Sequence, residues 1–492
     1  MKAQLLLCAV LAGFGVWANS SKAADPGPVS LSITLDPQHP GAAIAPDFSG
    51  LSFEVSLLLP NENGVRYFRP DNLPLIQLFH TLGIKNLRIG GNTSDRDVRK
   101  LPAEADLDSL FLFAKAADVK VIYCLRLHNG DPEIDSATVK YIMAHYAAQV
   151  DCFSIGQEPS AYPVEKKDAR AAGERMGAAN EKYQYPDYAA DWKKFADIII
   201  AANPDVKLCG PSVHNNGVWA QKFMTDFGKS NHVALITEHL YPGGAGGKVP
   251  TPENGRDRML SGDSSMSNGF PKAYQKLYDS FVPQAEANGL PYRLEEVNNY
   301  FNGGATNVSN TFASALWGLD FMYWWAAHDC VGLNFHTGDK VAAGSELRPS
   351  KYTAYFTATN GYLIRPLGYG IKAFDLGSHG KFLPVKISSA DNLNLTAYAV
   401  LGDDKNVYLT IINKEHGEGA HDASVTIDHG LAHAQVVFLQ APNGDIAATT
   451  GQTLGGAEIK NDGTWSGNWS PLNALALKIP AATAVIVKLT TD

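Results

Sequence analysis

The chain reads as an α/β protein, a (β/α)8 TIM barrel with an additional all-β sandwich domain built mainly from the C-terminus. Three observations point there. Eight strand-like segments alternate with segments of helical period between Phe48 and Phe335, which is the size and order of a closed barrel. From about Leu367 onward, short strands punctuated by turns replace that alternation. No Gly-x-Gly-x-x-Gly turn follows the first strand, which argues against an open dinucleotide-binding sheet.

Residues 1–23 carry a positive start at Lys2, an apolar run from Leu5 to Trp17 and small residues at Ser21 and Ala23. This is the pattern of a secretory signal, so the protein is expected to be secreted or periplasmic. Cys8 lies too early for a lipid-attachment site, and no later stretch is apolar for the ~18 residues a membrane span needs. Residues 24–47 contain one alternating strand, Val29–Leu35, broken by Asp36-Pro37; it is expected to join the C-terminal sandwich.

The barrel is assigned to 48–366. Its expected strands are Phe48–Val55, Asn86–Ile89, Val119–Leu125, Cys152–Ile155, Val206–Gly210, Ala234–His239, Tyr292–Val297 and Val331–Phe335. Helical period marks Leu73–Leu82, Leu107–Ala117, Ala137–Ala148, Ala189–Ala202, Tyr274–Ala287 and Thr311–His328, the last with Phe312, Leu316, Leu319 and Tyr323 on one face. The sandwich is assigned to 367–492, with strands Phe382–Ile387, Asn392–Leu401, Asn406–Asn413, Ala423–Asp428, Ala434–Gln440, Ala474–Ile479 and Ala484–Leu489.

Composition narrows the function. With 492 residues, 45% of them hydrophobic, the chain can bury one large core and a smaller one. A formal charge of −9 without a basic stripe argues against nucleic acid as a partner. Cys124, Cys152, Cys209 and Cys330 sit in or beside apolar strands without metal spacing, and are expected to be free and buried. His128, His214, His239 and His336 fall near strand ends, but none forms a His-x-x-x-His pair, so no metal or other cofactor is expected.

Two strands end in carboxylates. Strand four runs out at Gly156 into Gln157-Glu158-Pro159, and strand seven carries Glu295-Glu296 before Val297-Asn298-Asn299. In a parallel barrel the C-terminal strand ends face a common cleft. Paired carboxylates there suit glycosidic cleavage, which needs an acid at the leaving oxygen and a nucleophile or base at the anomeric carbon. Side chains alternate along a strand, so only one of Glu295 and Glu296 is expected to face the cleft; spacing leaves open which.

The segments Ser154-Ile155-Gly156-Gln157-Glu158-Pro159, Glu296 to Ala305 and Leu87-Arg88-Ile89-Gly90-Gly91-Asn92 resemble the heparanase and β-glucuronidase family, glycoside hydrolase family 79, of the large retaining (β/α)8 clan. The resemblance spans nearly the whole mature chain. It implies Glu158 as acid/base, Glu296 as nucleophile and Glu295 as structural. Arg88 would bond the nucleophile and keep it ionised, and the Tyr241 hydroxyl would steady it. Glu54 and Asn92 would bond sugar hydroxyls, and Asn298 and Tyr300 would line the cleft. Backbone amides at Gly303 and Gly304, and in the loop His336-Thr337-Gly338, would hold a uronic carboxylate. One position departs from the clan: Gln157 stands where asparagine usually bonds the sugar 2-hydroxyl. The implied function is an exported retaining exo-β-glucuronidase acting on a glucuronide or a uronic-acid-containing glycan. The alternatives are a 4-O-methylglucuronide, xyloside or galactoside substrate, endo-action on a uronic polymer, and a non-catalytic carbohydrate-binding protein.

Overall fold

The computed structural model describes residues 27–95, 100–162, 183–262, 266–337, 339, 341–343, 346–389, 393–428, 433–472 and 476–490. The expected signal at 1–23, Gly338 and most of the rim segment Pro163–Tyr185 lie outside them.

Eight parallel strands close a barrel in chain order: Ser49–Glu54, Asn86–Gly90, Lys120–Leu125, Val150–Ile155, Leu208–His214, Val233–Leu240, Tyr292–Val297 and Leu333–His336. The last pairs with the first, Leu333 opposite Ser49 and His336 opposite Ser52. Strands covered on both faces become continuous apolar runs, and Leu51, Phe53, Leu87, Ile89, Phe153 and Leu294 are buried accordingly. Towards the C-terminal end the interior turns polar: Ser52, Arg88, Ser154, His239 and Glu295 are all fully buried. That is where the chemistry sits.

The helix Leu73–Leu82 occupies its expected bounds and stops at Gly83, whose φ of 67° is left-handed. Glu104–Ala117, Pro132–Tyr146, Tyr185–Ala202, Phe270–Ala287 and Ala313–Ala326 follow as expected, mostly a turn longer at the N-terminus. Two barrel helices went unread. Gly217–Phe227 follows strand five, and Pro366–Gly377 is the eighth helix of the barrel. The region from 367, where strands alone were expected, thus opens with a helix, and the first strand after it begins at Gly380. The cause is packing. Pro366–Gly377 is buried from Pro366 through Phe374, so it shows no polar face, and Gly370 lies so close to Ala313–Ala326 that a Cβ would stand 2.3 Å from the Ala315 carbonyl oxygen. A helix so enclosed, with glycines at the contact, has no readable period.

The sandwich pairs a four-stranded sheet with a larger one. Val29–Leu35 lies in the first, antiparallel to Val385–Ser389 and parallel to Ala423–Ile427. Ile33, Val425 and Ile479 pack against Leu409, Ile411, Val485 and Val487 of the second sheet. The expected single strand Phe382–Ile387 is two, Gly380–Leu383 and Val385–Ser389, in different sheets; Pro384 between them has no N–H for a ladder, which suits a crossing point. Barrel and sandwich are tied through Asp320, which accepts from Thr396 Oγ1 (2.7 Å), Tyr398 OH (2.9 Å) and Lys414 Nζ (2.8 Å). The Tyr323 ring stacks on Tyr398 beside it. Cys124, Cys152, Cys209 and Cys330 are free and buried. Among the described residues, no helix is long and apolar enough to cross a membrane.

Candidate active site

Strand four delivers its carboxylate through a tight bend. Gly156 has φ 93°, and Glu158 itself is left-handed at φ 45°, ψ 55°, a conformation that costs a non-glycine residue about 1 kcal/mol or more. The bend is held by main-chain bonds: Glu158 N donates to Ser212 O (2.9 Å), and Gln157 N to Asp95 Oδ2 (2.6 Å). The Glu158 side chain is thereby aimed across the mouth towards strand six.

Strand seven contains a bulge at the site. On its strand-six side Glu238 pairs with Leu294 and His239 with Glu296, skipping Glu295; on its strand-eight side Leu294 pairs with Leu333 and Val297 with Phe335. One extra residue resets the alternation. Both carboxylates consequently enter the barrel, one beneath the other, and only Glu296 reaches the cleft. Glu295 lies beneath, 3.5 Å from His239 Nε2 and 4.0 Å from Arg88 Nε, fully buried. Glu296 lies above it, at the cleft floor.

Glu296 is held as an anion. Its Oε2 accepts from Arg88 Nη1 (2.7 Å) and Gln157 Nε2 (3.0 Å), and its Oε1 from Tyr241 OH (2.8 Å). Burial pushes its pKa up, but the charges of His336, His239 and Arg88, with the Tyr241 bond, hold it well below the usual carboxylate range. Glu158 Oε1 stands 3.2 Å from His239 Nδ1 and 4.0 Å from His214 Nδ1. Burial raises the Glu158 pKa, the His239 hydrogen bond lowers it, the Glu296 charge raises it again, and the balance lies below the ordinary value. His239 moves the opposite way. Burial disfavours its charge, yet Glu296, Glu158 and Glu295 push its pKa up to about 9. At neutral pH the centre is therefore an imidazolium among three carboxylates.

One ligand atom each from Glu158, His239 and Glu296 lies within 4.8 Å of the others. A small cation could be held by such a set, although Arg88 already supplies positive charge to Glu296 at 2.7 Å.

Not every expected residue faces the cleft. Gln157 does not present a free amide: its Oε1 accepts from Arg88 Nη2 and from Gly91 N (3.2 Å), while its Nε2 is spent on Glu296. Glu54 caps the short helix Asn92–Asp95, accepting from Asn92 N (3.2 Å), Thr93 N (2.8 Å) and Thr93 Oγ1 (2.6 Å), while Asn92 itself is exposed at the rim. Asn298 and Tyr300 correct the expectation outright. Asn298 is buried, donating to the carbonyls of His336 and Tyr352, and Tyr300 is buried behind the site with its hydroxyl on Gly255 O (2.9 Å). The turn after the strand-seven bulge faces them inward, and they brace the loops. Gly303 and Gly304 take left-handed φ of 77° and 84°; among the described residues neither amide has a protein acceptor. His336 Nδ1 bonds Ser52 Oγ (3.1 Å), and its Nε2 lies 3.7 Å from Glu54. His239 and Ser52 were missing from the expected site. His239 was findable, since it precedes Tyr241 by two residues and so shares its side of the chain.

No family model matches the chain. It is 29% identical over 196 residues to a β-glucuronidase from Aspergillus niger, covering 38% of this chain and 34% of that protein, so it spans about a third of the length of the curated relative it matches. Among solved structures, a 4-O-α-L-rhamnosyl-β-D-glucuronidase from Fusarium oxysporum 12S superposes with a TM-score of 0.66 at 16% identity, covering 94% of this chain and 100% of that one. A GH51 arabinofuranosidase from Xanthomonas axonopodis pv. citri gives 0.63 at 13% identity, covering 94% and 100%. At these identities the likeness shows a common fold: a closed eight-stranded parallel barrel accompanied by β-sheets.

Proposed function

We propose that the chain is an exported retaining glycoside hydrolase of the heparanase and β-glucuronidase type, removing β-linked glucuronic acid by double displacement. The observation that carries this is that one carboxylate oxygen of Glu158 and one of Glu296 lie within 4.8 Å of each other. An inverting pair needs roughly 6.5 Å or more to seat a water, whereas a retaining pair stands about 5 Å apart. Glu296, ionised and steadied by Arg88, Gln157 and Tyr241, attacks the anomeric carbon while Glu158 protonates the departing oxygen. Glu158 then takes a proton from the water that releases the sugar. The resting proton resides on His239, whose Nδ1 bond to Glu158 gives it a path to the acid. Glucuronic acid is supported by the Aspergillus relative, by the amides of Gly303 and Gly304, which suit an anion without a lysine or arginine, and by His336, whose protonation Glu296 and Glu54 promote against the effect of burial.

The test is mutational. Glu296→Ala abolishes turnover of an aryl β-glucuronide, azide restores turnover to Glu158→Ala, and NMR of the first-formed product shows retained configuration. Full activity in Glu296→Ala overturns the assignment. The convergence of Glu158, His239 and Glu296 favours one second reading, a metal-dependent hydrolase; activity that survives exhaustive chelation rejects it. Sugar binding without turnover across a panel of aryl glycosides would instead mark a carbohydrate-binding protein.

A further inference from the structure

The bend that carries the acid is held by a residue outside the catalytic set. Asp95 ends the short helix Asn92–Asp95 after strand two and is 4% exposed. Its carboxylate spans the ends of the next two strands. Oδ1 accepts from Leu127 N (2.8 Å) and His128 N (3.3 Å), just past strand three. Oδ2 accepts from Gln157 N (2.6 Å) and from the Tyr162 hydroxyl, past strand four. All four partners donate, which suits an ionised carboxylate because it can only accept. Burial raises its pKa, against the pull of the Tyr162 hydroxyl and the three amides.

What Oδ2 holds is the peptide joining Gly156 to Gln157, one residue before the acid. Gly156 N donates to Leu125 O (3.0 Å) and Glu158 N to Ser212 O (2.9 Å), so the bend is fixed at residue 156 by strand three, at 157 by Asp95 and at 158 by strand five. The middle tie has the most to restrain. Gly156 (φ 93°) has no side chain to resist rotation of that peptide, and Glu158 (φ 45°) stays left-handed only while its surroundings hold it there. If the peptide turns, the Glu158 carboxyl leaves its place 3.2 Å from His239 Nδ1.

We infer that Asp95 is a positioning residue for the acid/base: it holds the 156–157 peptide in the orientation that delivers the Glu158 carboxyl to the departing oxygen. The inference rests on the glycosidase reading above. A positioning residue and a mere brace of the fold differ in what they do to the leaving group. Phenol, with a pKa of about 10 like that of the tyrosine side chain, departs from a sugar only when protonated. 2,4-Dinitrophenol is a far stronger acid and departs as its anion, without a proton. Loss of folded protein, or disturbance of the nucleophile through the Gln157 amide, slows both alike and cancels in the ratio of the two rates. Displacement of the acid does not cancel.

The experiment measures kcat/KM, which follows the bond-breaking step, on phenyl and 2,4-dinitrophenyl β-glucuronide for the wild type, Asp95→Asn and Tyr162→Phe. Asp95→Asn keeps the size of the side chain but replaces one acceptor oxygen by an amide. Its dinitrophenyl-to-phenyl ratio should exceed that of the wild type by about tenfold or more, a part of the roughly 10²- to 10⁴-fold that a placed general acid contributes. Tyr162→Phe is the milder change, removing a hydroxyl that donates to Asp95 and also accepts from Gln157 N (3.1 Å). It should raise the ratio about threefold or more, and it decides the matter if Asp95→Asn does not fold. A ratio unchanged in either folded variant, whatever the absolute rates, overturns the assignment and leaves the glycosidase reading intact, since wild-type turnover carries that reading. A wild type that cleaves neither aryl glucuronide overturns both.

Discussion

The Nδ1 of His239 stands 3.2 Å from Oε1 of Glu158, while the Nε2 of the same ring lies 3.5 Å from Oε1 of Glu295. One imidazolium thus joins the proposed acid to a carboxylate buried under the cleft floor. The proton of this unit belongs to the pair rather than to either residue.

That sharing sets the pH profile. The His239 pKa is raised from 6.5 to about 9, so the stability it contributes is complete below 6.5 and is lost as pH rises through about 9. The catalytic proton leaves over the same upper range. The alkaline limb of kcat/KM should therefore fall near pH 9, and His239→Phe should move it down by at least one unit, because Glu158 must then hold the proton unaided. A limb that does not move would show that His239 takes no part in the proton inventory.

Gln157 sets the second expectation. Its amide bridges Arg88, Gly91 N and Glu296, and the extra methylene over asparagine lets it span all three. Gln157→Asn draws the amide back by about an ångström and releases Glu296 Oε2 from one of its two donors. Displacements of that size cost on the order of a hundredfold. The loss should fall on kcat more than on KM, since the amide serves the nucleophile and not the ground-state sugar; steady-state kinetics on an aryl β-glucuronide measures the split.

Much of this site was legible because it lies at strand ends, where position along the chain dictates position in space. Glu158 and Glu296 follow from strand position and Arg88 and Tyr241 from the family resemblance, and all four lie in or just past barrel strands. What escaped depends on partners distant in sequence. The bulge that turns both Glu295 and Glu296 inward is a property of register against strands six and eight, which no local alternation encodes. Asn298 and Tyr300 were cleft residues only by the family resemblance, yet the turn after the bulge faces them into the core. The helix Pro366–Gly377 was invisible because enclosure on all sides erases the polar face that a period requires. The signal at 1–23 lies outside the described residues, and export stays with the proposal.

Glu295 offers a test of that bulge. Its carboxylate is fully buried, and burial, which raises its pKa, is outweighed by His239 and Arg88, which lower it. Its stabilisation is thus present above the unfolded value of about 4.5 and is lost as pH falls through the lower folded pKa. Glu295→Gln keeps the shape but leaves His239 and Arg88 with less countercharge, a loss of about 3 to 5 kcal/mol for a fully buried pair. Urea denaturation at pH 7 measures it, and histidine NMR titration should show the His239 pKa falling below 9.

The last expectation concerns why the barrel carries its sandwich at all. Asp320, on the barrel helix Ala313–Ala326, receives two hydroxyls and the Lys414 ammonium from the sandwich, and Lys414 is only 3% exposed. Asp320→Ala strands that ammonium between two packed layers and leaves Thr396 and Tyr398 without their acceptor. The cost should be about 2 to 4 kcal/mol, towards the low side for a buried pair because Asp320 retains some contact with water. If the sandwich braces the barrel, denaturation monitored by tryptophan fluorescence, with most tryptophans in the barrel, and by far-ultraviolet circular dichroism should shift together in this variant. Two separated transitions, with the barrel unfolding at its wild-type midpoint, would show instead that the two bodies are stable independently of this contact.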